Sequence, residues 1–399
     1  MMTPTLWQIF LTFLKLGCTS FGGPAAHLVF FHQVFVQQRQ WLQDTEYAQL
    51  VALAQLLPGP TSSQVGIGIG YLQKGYAGGF CAWLGFTLPS ALLMTVFALL
   101  SYQVSDLIHL DAFHAIQLIV MAVVAVAFWQ MLTSFCKQTW HYLLMLAATL
   151  FILLVPIAIN QILVILVAAL LGVTFSKQNN LTNREPLSLQ ILQSQSQHHR
   201  AWWWLFLFFA LFVVFALLQG FTPSLLIESI QGFYQTAALV FGGGHVVLPL
   251  LHQQFVSTHL IPAQQFDLGY ALAQLIPGPL FTFASFIGAF IPMTPFPLLN
   301  AAIATLAIFL PSFLLIFALL PYWSRFMAQA KIQKAVTGIN AAVIGLLFAM
   351  VISMGMDQIR HWSDLLFVVL VIALLKTKLP VLISIPGSFL LYLLLQFWI

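Results

Sequence analysis

A nine-residue segment that contains Pro-Gly-Pro occurs twice in this chain, and each copy interrupts an apolar run. Ala52-Leu-Ala-Gln-Leu-Leu-Pro-Gly-Pro60 returns 219 residues later as Ala271-Leu-Ala-Gln-Leu-Ile-Pro-Gly-Pro279, with one change in nine positions. Proline lacks the backbone N–H that a helix interior needs, and glycine destabilises a helix because its unfolded backbone has so much freedom to lose. The chain must therefore fold around two helix breaks at equivalent positions.

Other motifs repeat at matching distances from these breaks. Phe21-Gly-Gly-Pro24 precedes the first copy, and Phe241-Gly-Gly-Gly244 precedes the second. A Leu-Pro-Ser tripeptide follows each copy inside a long apolar run, at 88–90 and at 310–312. Because order and spacing agree over about 80 residues in each half, the sequence indicates an internal duplication.

The chain as a whole is too apolar to form a water-facing surface. Of the 399 residues, 61% are hydrophobic and only 6% are charged, whereas a soluble protein carries about 25% charged residues. The apolar runs approach helix length and do not alternate, so the sequence predicts an all-α polytopic membrane protein rather than a β-barrel. A net charge of +4, scattered along the chain, argues against nucleic acid as a partner.

The distribution of Lys and Arg predicts how the repeats are oriented. Four segments are expected: a first membrane repeat (1–175), a polar cytoplasmic linker (176–200), an additional transmembrane helix (201–220) and a second membrane repeat (221–399). Arg39 and Lys74 flank the first Pro-Gly-Pro, whereas no Lys or Arg lies between Arg200 and Arg325. Since Lys and Arg favour cytoplasmic loops, we expect the additional helix to turn the second repeat upside down. Inverted-topology repeats with helices broken at matching places are typical of secondary transporters.

The segments on either side of each break are too short to cross a bilayer alone. A helix over 47–57 would be about 16 Å long, and one over 61–72 is similar, against roughly 30 Å of hydrocarbon. We expect them to form a re-entrant hairpin, with 264–290 as its counterpart. Helix N-termini bind anions through free backbone N–H groups without any formal charge. Several such ends meeting near the midplane predict a small oxyanion as cargo.

The predicted site residues are those of the breaks and of the helix starts that follow them. The substrate-binding candidates are Gly22, Gly23, Pro24, Gln55, Pro58, Gly59, Pro60, Thr61, Ser62, Ser63, Gly243, Gly244, His245, Gln274, Pro277, Gly278, Pro279 and Thr282. Gln55 and Gln274 would add amide donors, or alternatively join neighbouring helices. His27, Glu46 and His245 are candidates for proton coupling. The alternative is a hydrogen-bonded structural role for the two histidines and a structural position near the membrane surface for Glu46.

The remaining polar groups predict no further chemistry. Glu228 and Asp267 are interpreted as structural charges near the membrane surface. The three cysteines lie apart inside apolar segments without metal-ligand spacing, so neither a metal nor another cofactor is expected. There is no HExxH, no acidic metal cluster and no Ser-His-Asp arrangement at motif spacing, which makes a membrane-embedded enzyme the weakest of the function classes.

Two longer segments carry a family resemblance. Phe241-Gly-Gly-Gly-His-Val-Val-Leu-Pro-Leu250 and Gln274-Leu-Ile-Pro-Gly-Pro-Leu-Phe-Thr-Phe283, with their counterparts at 21–24 and 55–60, resemble the CHR family of chromate ion transporters in its long, two-domain form. Arg39, Trp41 and Glu46 also match the pattern of the first domain. His259-Leu260 stands where the second domain of that family usually has Gly-Trp.

The resemblance implies an activity and a location. It implies export of chromate across the bacterial inner membrane, with sulfate as a look-alike, driven as in an antiporter by a proton or ion gradient. The partners implied are the oxyanion and membrane lipid, and association with a second copy of the chain stays open. The alternatives are a transporter of sulfate or another small anion, or an anion channel, with no physiological role in chromate transport.

Overall fold

A computed structural model describes most of the chain, namely residues 4–21, 23–104, 110–155, 160–176, 198–221, 224–241, 246–322, 329–377, 379 and 381–396. No strand occurs among these residues, and the all-α prediction is confirmed. The α-helices are α1 Leu6–Thr19, α2 Gly23–Phe31, α3 Asp44–Leu56, α4 Thr61–Val104, α5 Leu110–Phe135, α6 Thr139–Leu154, α7 Asn160–Phe175, α8 His198–Phe221, α9 Leu225–Leu239, α10 Val247–Leu251, α11 Ala263–Leu275, α12 Phe283–Phe290, α13 Pro297–Leu319, α14 Ala330–Gln358, α15 Trp362–Leu375 and α16 Val381–Gln396.

Five helical segments of the described chain are long and apolar enough to cross a membrane. They are Thr61–Ser101, Phe113–Phe135, Ala201–Phe221, Pro297–Tyr322 and Lys331–Gln358. The segment in α8 differs from the others in its exposure. Only 11% of its most apolar 18 residues are buried inside the protein, against 72% for the segment in α13. A helix that keeps its apolar side chains on the outside needs an apolar surrounding. The fold is that of a multi-pass membrane protein.

The duplication appears in the backbone as well as in the sequence. The short helices α2 and α10 each continue directly into a π-helix, at His32–Gln38 and at His252–Val256. Each π-helix is followed by a residue with positive φ, Gln40 at 52° and His259 at 60°. Non-glycine residues rarely adopt this conformation. Its recurrence at matching positions, on two different residue types, shows that the repeats share a local fold beyond their identical motifs.

The first Pro-Gly-Pro segment joins two short helices, as predicted. Helix α3 ends at Leu56 and α4 begins at Thr61. Helix α4 is itself interrupted at Lys74 and Gly75, which have non-helical backbone angles. The two parts of α4 then pack so closely that a Cβ atom on Gly70 or on Gly78 would overlap the backbone carbonyl of the other glycine. The part of α4 before this turn is therefore a short element within a helical hairpin.

The second Pro-Gly-Pro segment has the same plan with a different helix start. Helix α11 ends at Leu275, and a 3₁₀ turn over Leu280–Thr282 leads into α12. The predicted hairpin over 264–290 is therefore present, but its second arm begins with the tighter 3₁₀ turn. Helices commonly begin this way.

Helix α1 and the later part of α4 are in backbone contact through glycine. A Cβ atom on Gly85 would lie 2.5 Å from the carbonyl oxygen of Phe10 and 3.0 Å from the amide nitrogen of Leu14. One on Gly17 would lie 2.6 Å from the carbonyl oxygen of Phe86. Small residues let membrane helices approach this closely. The contact fixes the end of α1 beside α4, where the carbonyl of Ser20 accepts from Gly278 of the second break.

We expect Gly85→Val to destabilise the protein by about 1–3 kcal/mol, because backbone atoms cannot move aside as a flexible side chain would. Gly220→Val in α8 is the matched control, since a Cβ atom there meets nothing within 4 Å. Thermal unfolding of the purified protein in detergent measures both variants. Equal losses in unfolding temperature would contradict the close packing of α1 on α4.

Candidate oxyanion-binding site

Each Pro-Gly-Pro break is hydrogen-bonded to the opposite repeat. The amide of Gly59 donates to the carbonyl of Val240 at 2.7 Å, and the amide of Gly278 donates to the carbonyl of Ser20 at 3.0 Å. Val240 directly follows α9 and Ser20 directly follows α1, so the two acceptors occupy equivalent positions in the two repeats. The contact is reciprocal, as in an interface with two-fold symmetry.

The serines of the two Leu-Pro-Ser motifs lie directly behind the glycines of the breaks. Gly59 has a φ of 122° and Gly278 a φ of 104°, which only glycine adopts without strain. A Cβ atom on Gly59 would lie 2.7 Å from the Oγ of Ser312, and one on Gly278 would lie 2.7 Å from the Oγ of Ser90. Each serine belongs to the other repeat. Both the backbone angle and the space therefore require glycine at these two positions.

The helix that follows the first break begins with free backbone N–H groups. The first intrahelical bond is donated by the amide of Gln64 to the carbonyl of Pro60 at 2.9 Å, so the amides of 61–63 have no acceptor inside the helix. The side-chain amide of Gln64 donates to the carbonyl of Pro58 at 2.6 Å and lies 3.5 Å from the Oγ of Ser312. Gln64 thus holds the break against the start of α4.

His27 connects the two breaks. Its Nε2 lies 3.1 Å from the carbonyl oxygen of Ser20, and its Nδ1 lies 3.3 Å from the Oγ of Ser62. A carbonyl only accepts, so Nε2 carries the hydrogen and the Nδ1 of the neutral ring accepts from the Ser62 hydroxyl. The same Ser20 carbonyl accepts from Gly278. The ring therefore links the start of α4 to the second Pro-Gly-Pro.

Several buried polar atoms of residues close to the two breaks have spare hydrogen-bonding capacity. Thr87 is one of these residues, because its carbonyl accepts the hydroxyl of Ser90, which lies behind Gly278. Among the described residues, the hydroxyls of Ser20, Ser63 and Thr87 and the Oε1 of Gln64 have no hydrogen-bond partner. Ser63 is only 1% exposed. Buried polar groups are almost always paired, so the unused hydroxyl of Ser63, beside the free N–H groups of 61–63, indicates a place that receives an acceptor. No Lys, Arg, Asp or Glu takes part in the hydrogen bonds that join the two breaks in the described chain.

The second break offers fewer free donors. The N–H and the hydroxyl of Thr282 both donate to the carbonyl of Pro279, at 3.0 and 2.8 Å, so these predicted donors are already used. Gln274 is half-buried and interacts with the hydroxyl of Tyr270 one turn earlier. Its predicted counterpart Gln55 is exposed on α3. The two breaks are equivalent in backbone but not in chemistry.

The other predicted residues have the following positions. Gly23 and Pro24 begin α2, with Gly23 at a φ of 79°, and Pro277 is half-buried behind the second break. Glu46 accepts the backbone N–H of Gln43 at 2.9 Å and so caps α3. Gly22, Gly243, Gly244 and His245 lie outside the described residues.

The sequence analysis missed five residues that the structure brings to the breaks: Ser20, Gln64, Thr87, Ser90 and Ser312. The repeated Leu-Pro-Ser motif was a usable signal for Thr87, Ser90 and Ser312, because Thr87 directly precedes the first copy. No group of three His, Cys, Asp or Glu side chains able to hold a metal ion occurs in the described chain.

Two repeats that meet at broken helices, inside a bundle with membrane-length helices, are the architecture of a membrane transporter. The chain belongs to the chromate transporter family, whose model matches residues 7–173 and 227–393 and thus both repeats. It is a transport protein rather than an enzyme.

Relatives of this chain align with it over almost their whole length. A probable chromate transport protein of Synechococcus elongatus is 28% identical over 94% of this chain and 92% of its own. A chromate transport protein of Cupriavidus metallidurans is 27% identical over 94% of this chain and 88% of its own. An uncharacterized transporter of Methanocaldococcus jannaschii is 27% identical over 93% of this chain and 89% of its own. No solved structure matches the chain significantly.

We expect Gly59→Ala and Gly278→Ala each to reduce chromate uptake into proteoliposomes by about tenfold or more. The added Cβ combines backbone strain of about 1–3 kcal/mol with a displaced serine of the other repeat. Gly75→Ala is the control, because its φ is also positive, at 61°, while a Cβ there meets nothing within 4 Å. Loss of uptake in all three variants alike would show that strain alone, not contact between the breaks, matters.

Proposed function

We propose that this chain is a secondary active transporter that exports chromate by alternating access around one site between the two Pro-Gly-Pro breaks. The observation that carries this proposal is the reciprocal bonding of Gly59 to Val240 and of Gly278 to Ser20. It brings the broken helices of both repeats to one place, where secondary transporters bind their substrates. Several relatives are named as chromate transport proteins, which supports the cargo.

The chemistry of the site suits a tetrahedral dianion. The free amides of 61–63 lie at the positive end of the α4 dipole. The unpaired hydroxyls of Ser20, Ser63 and Thr87 would add neutral donors. Donors without formal charge hold a dianion yet allow its release, because no fixed cation retains it. Sulfate has nearly the same shape and charge, so we expect it to compete: small differences of fit are worth only about 1–3 kcal/mol.

Alternating access would follow from the way the repeats hold each other. We propose that 1–175 and 221–399 lie in the bacterial inner membrane in inverted orientation, with 201–220 as the crossing that inverts the second and 176–200 as a cytoplasmic linker. Rocking of one repeat against the other would then open the site to each side in turn. Lipid would surround the exposed apolar faces, that of α8 above all. Among the candidates for proton coupling, His27 is the one that lies in the described site.

Ser63→Ala tests the site directly. A lost hydrogen bond to a charged ligand is worth about 1.5–3 kcal/mol, so we expect the chromate concentration for half-maximal transport to rise by about tenfold or more. Ser388→Ala is the matched control: this serine is also fully buried, but its hydroxyl already donates to the carbonyl of Ser384 at 2.7 Å. Uptake of labelled chromate and sulfate into proteoliposomes, with and without a pH gradient, is the measurement.

The outcomes separate the alternatives. If both serine variants behave alike, the anion does not bind at the start of α4. Wild-type flux that ignores the pH gradient would favour an anion channel over a coupled transporter. Flux of sulfate without chromate, or of neither anion in folded protein, would mean that the cargo is a different one.

A further inference from the structure

Asp267 is a buried carboxyl group that the first repeat does not have. It lies on α11 and is 4% exposed, which differs from the surface position expected from the sequence. When the two Pro-Gly-Pro segments are aligned, Ala48 occupies the equivalent position. The Oδ2 of Asp267 accepts a hydrogen bond of 3.2 Å from the side-chain amide of Gln117 on α5. This bond joins the two repeats.

A second buried carboxyl group shows what Asp267 lacks. Asp364 is 3% exposed, but it accepts the backbone amides of Arg360 and His361 at 2.9 and 3.0 Å, and the Nε2 of His114 lies 3.3 Å from it. Its charge is therefore compensated. Within the described chain, no cation lies at ion-pair distance from Asp267. A carboxylate in such surroundings is costly and readily takes up a proton.

The described residues around Asp267 offer no compensating charge either. Helix α11 packs against α4, α5, α12, α16 and the π-helix that follows α10. His252 on that π-helix packs edge-on against Phe266, with 5.5 Å between the ring centroids. His114 on α5 is hydrogen-bonded to Asp364. Together with Tyr270 on α11 itself, the titratable side chains described on these elements are Tyr71, Lys74, Tyr76, Cys81, His114, His252 and Tyr392. None of them forms an ion pair with Asp267.

The position of Asp267 connects it to the second break. Gln274 lies seven residues further along α11, which is two helical turns, about 10 Å, and the same face of the helix. The Pro-Gly-Pro that Ser20 holds follows directly. The ionised carboxylate is the stronger acceptor for the Gln117 amide, so protonation weakens the bond that holds α11 to α5. A proton on Asp267 would thus loosen the helix that leads into the second Pro-Gly-Pro.

We infer that Asp267 is the carboxyl group that binds and releases the coupled proton during transport. The inference rests on the proposed function, since it names the group that exchanges the proton. The step is a simple one: an Oδ–H bond forms with one proton from the aqueous phase on one side, and it breaks to return that proton on the other. Of the candidates predicted from sequence, Glu46 caps α3 and both ring nitrogens of His27 are already hydrogen-bonded.

Three measurements on one set of proteins test this. They are chromate uptake driven by a pH gradient, chromate exchange across liposomes without a gradient, and proton uptake or release when chromate binds the purified protein in weakly buffered detergent. Asp267→Asn keeps the shape and an acceptor for Gln117. We expect it to lose gradient-driven uptake about tenfold or more and to keep exchange within about twofold of wild type. We also expect its proton signal to disappear. Glu228→Gln, a change at another acidic residue, should leave all three unchanged.

Gln117→Leu provides a second, independent variant. Without the amide, the ionised carboxylate loses its donor, so the protonated form is favoured over a wider range of pH. The pH dependence of coupled uptake should move to higher pH by about one unit or more. An unchanged pH profile in this variant would overturn the assignment even if Asp267→Asn were poorly folded.

Other results would also overturn it. Retained gradient-driven uptake or a retained proton signal in Asp267→Asn would place the coupling group elsewhere. Equal loss of exchange and of driven uptake would assign Asp267 a structural role. Failure of the proposed function is distinguishable, because it would appear in the wild type as flux without gradient dependence. In that case the proton signal on chromate binding still tests Asp267 by itself.

Discussion

The structure depends on two backbone hydrogen bonds, each of which joins the glycine of one Pro-Gly-Pro to the last carbonyl of a helix in the other repeat. Inside a membrane, a broken helix leaves polar backbone groups that water cannot satisfy, and each such group is costly. Here Gly59 and Val240, and equally Gly278 and Ser20, satisfy one another. Neither repeat can complete its own break. The duplication and the breaks are therefore linked, because each repeat supplies the acceptor for the glycine amide of the other repeat's break.

This mutual dependence also explains why the candidate site is neutral. The groups brought together at the breaks are amides, carbonyls and hydroxyls, with the ring of His27 between them. Such groups can meet at close range without the large desolvation penalty of charges. They can still hold an anion through aligned dipoles. The two breaks contribute unequally, because the start of α4 has free amides and unpaired hydroxyls while Thr282 uses its own donors on Pro279. The backbone of the two breaks is thus related by approximate two-fold symmetry, whereas the hydrogen-bond donors at the two breaks are different.

The buried carboxyl groups of the described chain differ in how their charge is compensated. Asp364 is surrounded by two backbone amides and a histidine, and Glu46 closes a helix end. Asp267 stands apart, since a single neutral amide from the other repeat is its described hydrogen-bond donor. In a low-dielectric interior, a carboxyl group of this kind is sensitive to protonation. Because Gln117 on α5 belongs to the other repeat, protonation of Asp267 affects a contact between the two repeats.

The sequence by itself determined the helical class, the duplication and the places where helices break. These follow from local chemistry: the combination Pro-Gly-Pro breaks a helix, whereas a single proline such as Pro311 is accommodated inside one, and long apolar runs with few charges exclude a soluble fold. The tertiary structure decided which groups meet at the breaks. Ser312 lies behind Gly59 and Ser90 behind Gly278, pairs more than 180 residues apart, and no local pattern specifies such partners. The burial of Asp267, the exposure of Gln55 and the engagement of Thr282 were likewise decided by packing, because whether a polar side chain is free or paired depends on neighbours that only the folded chain brings to it.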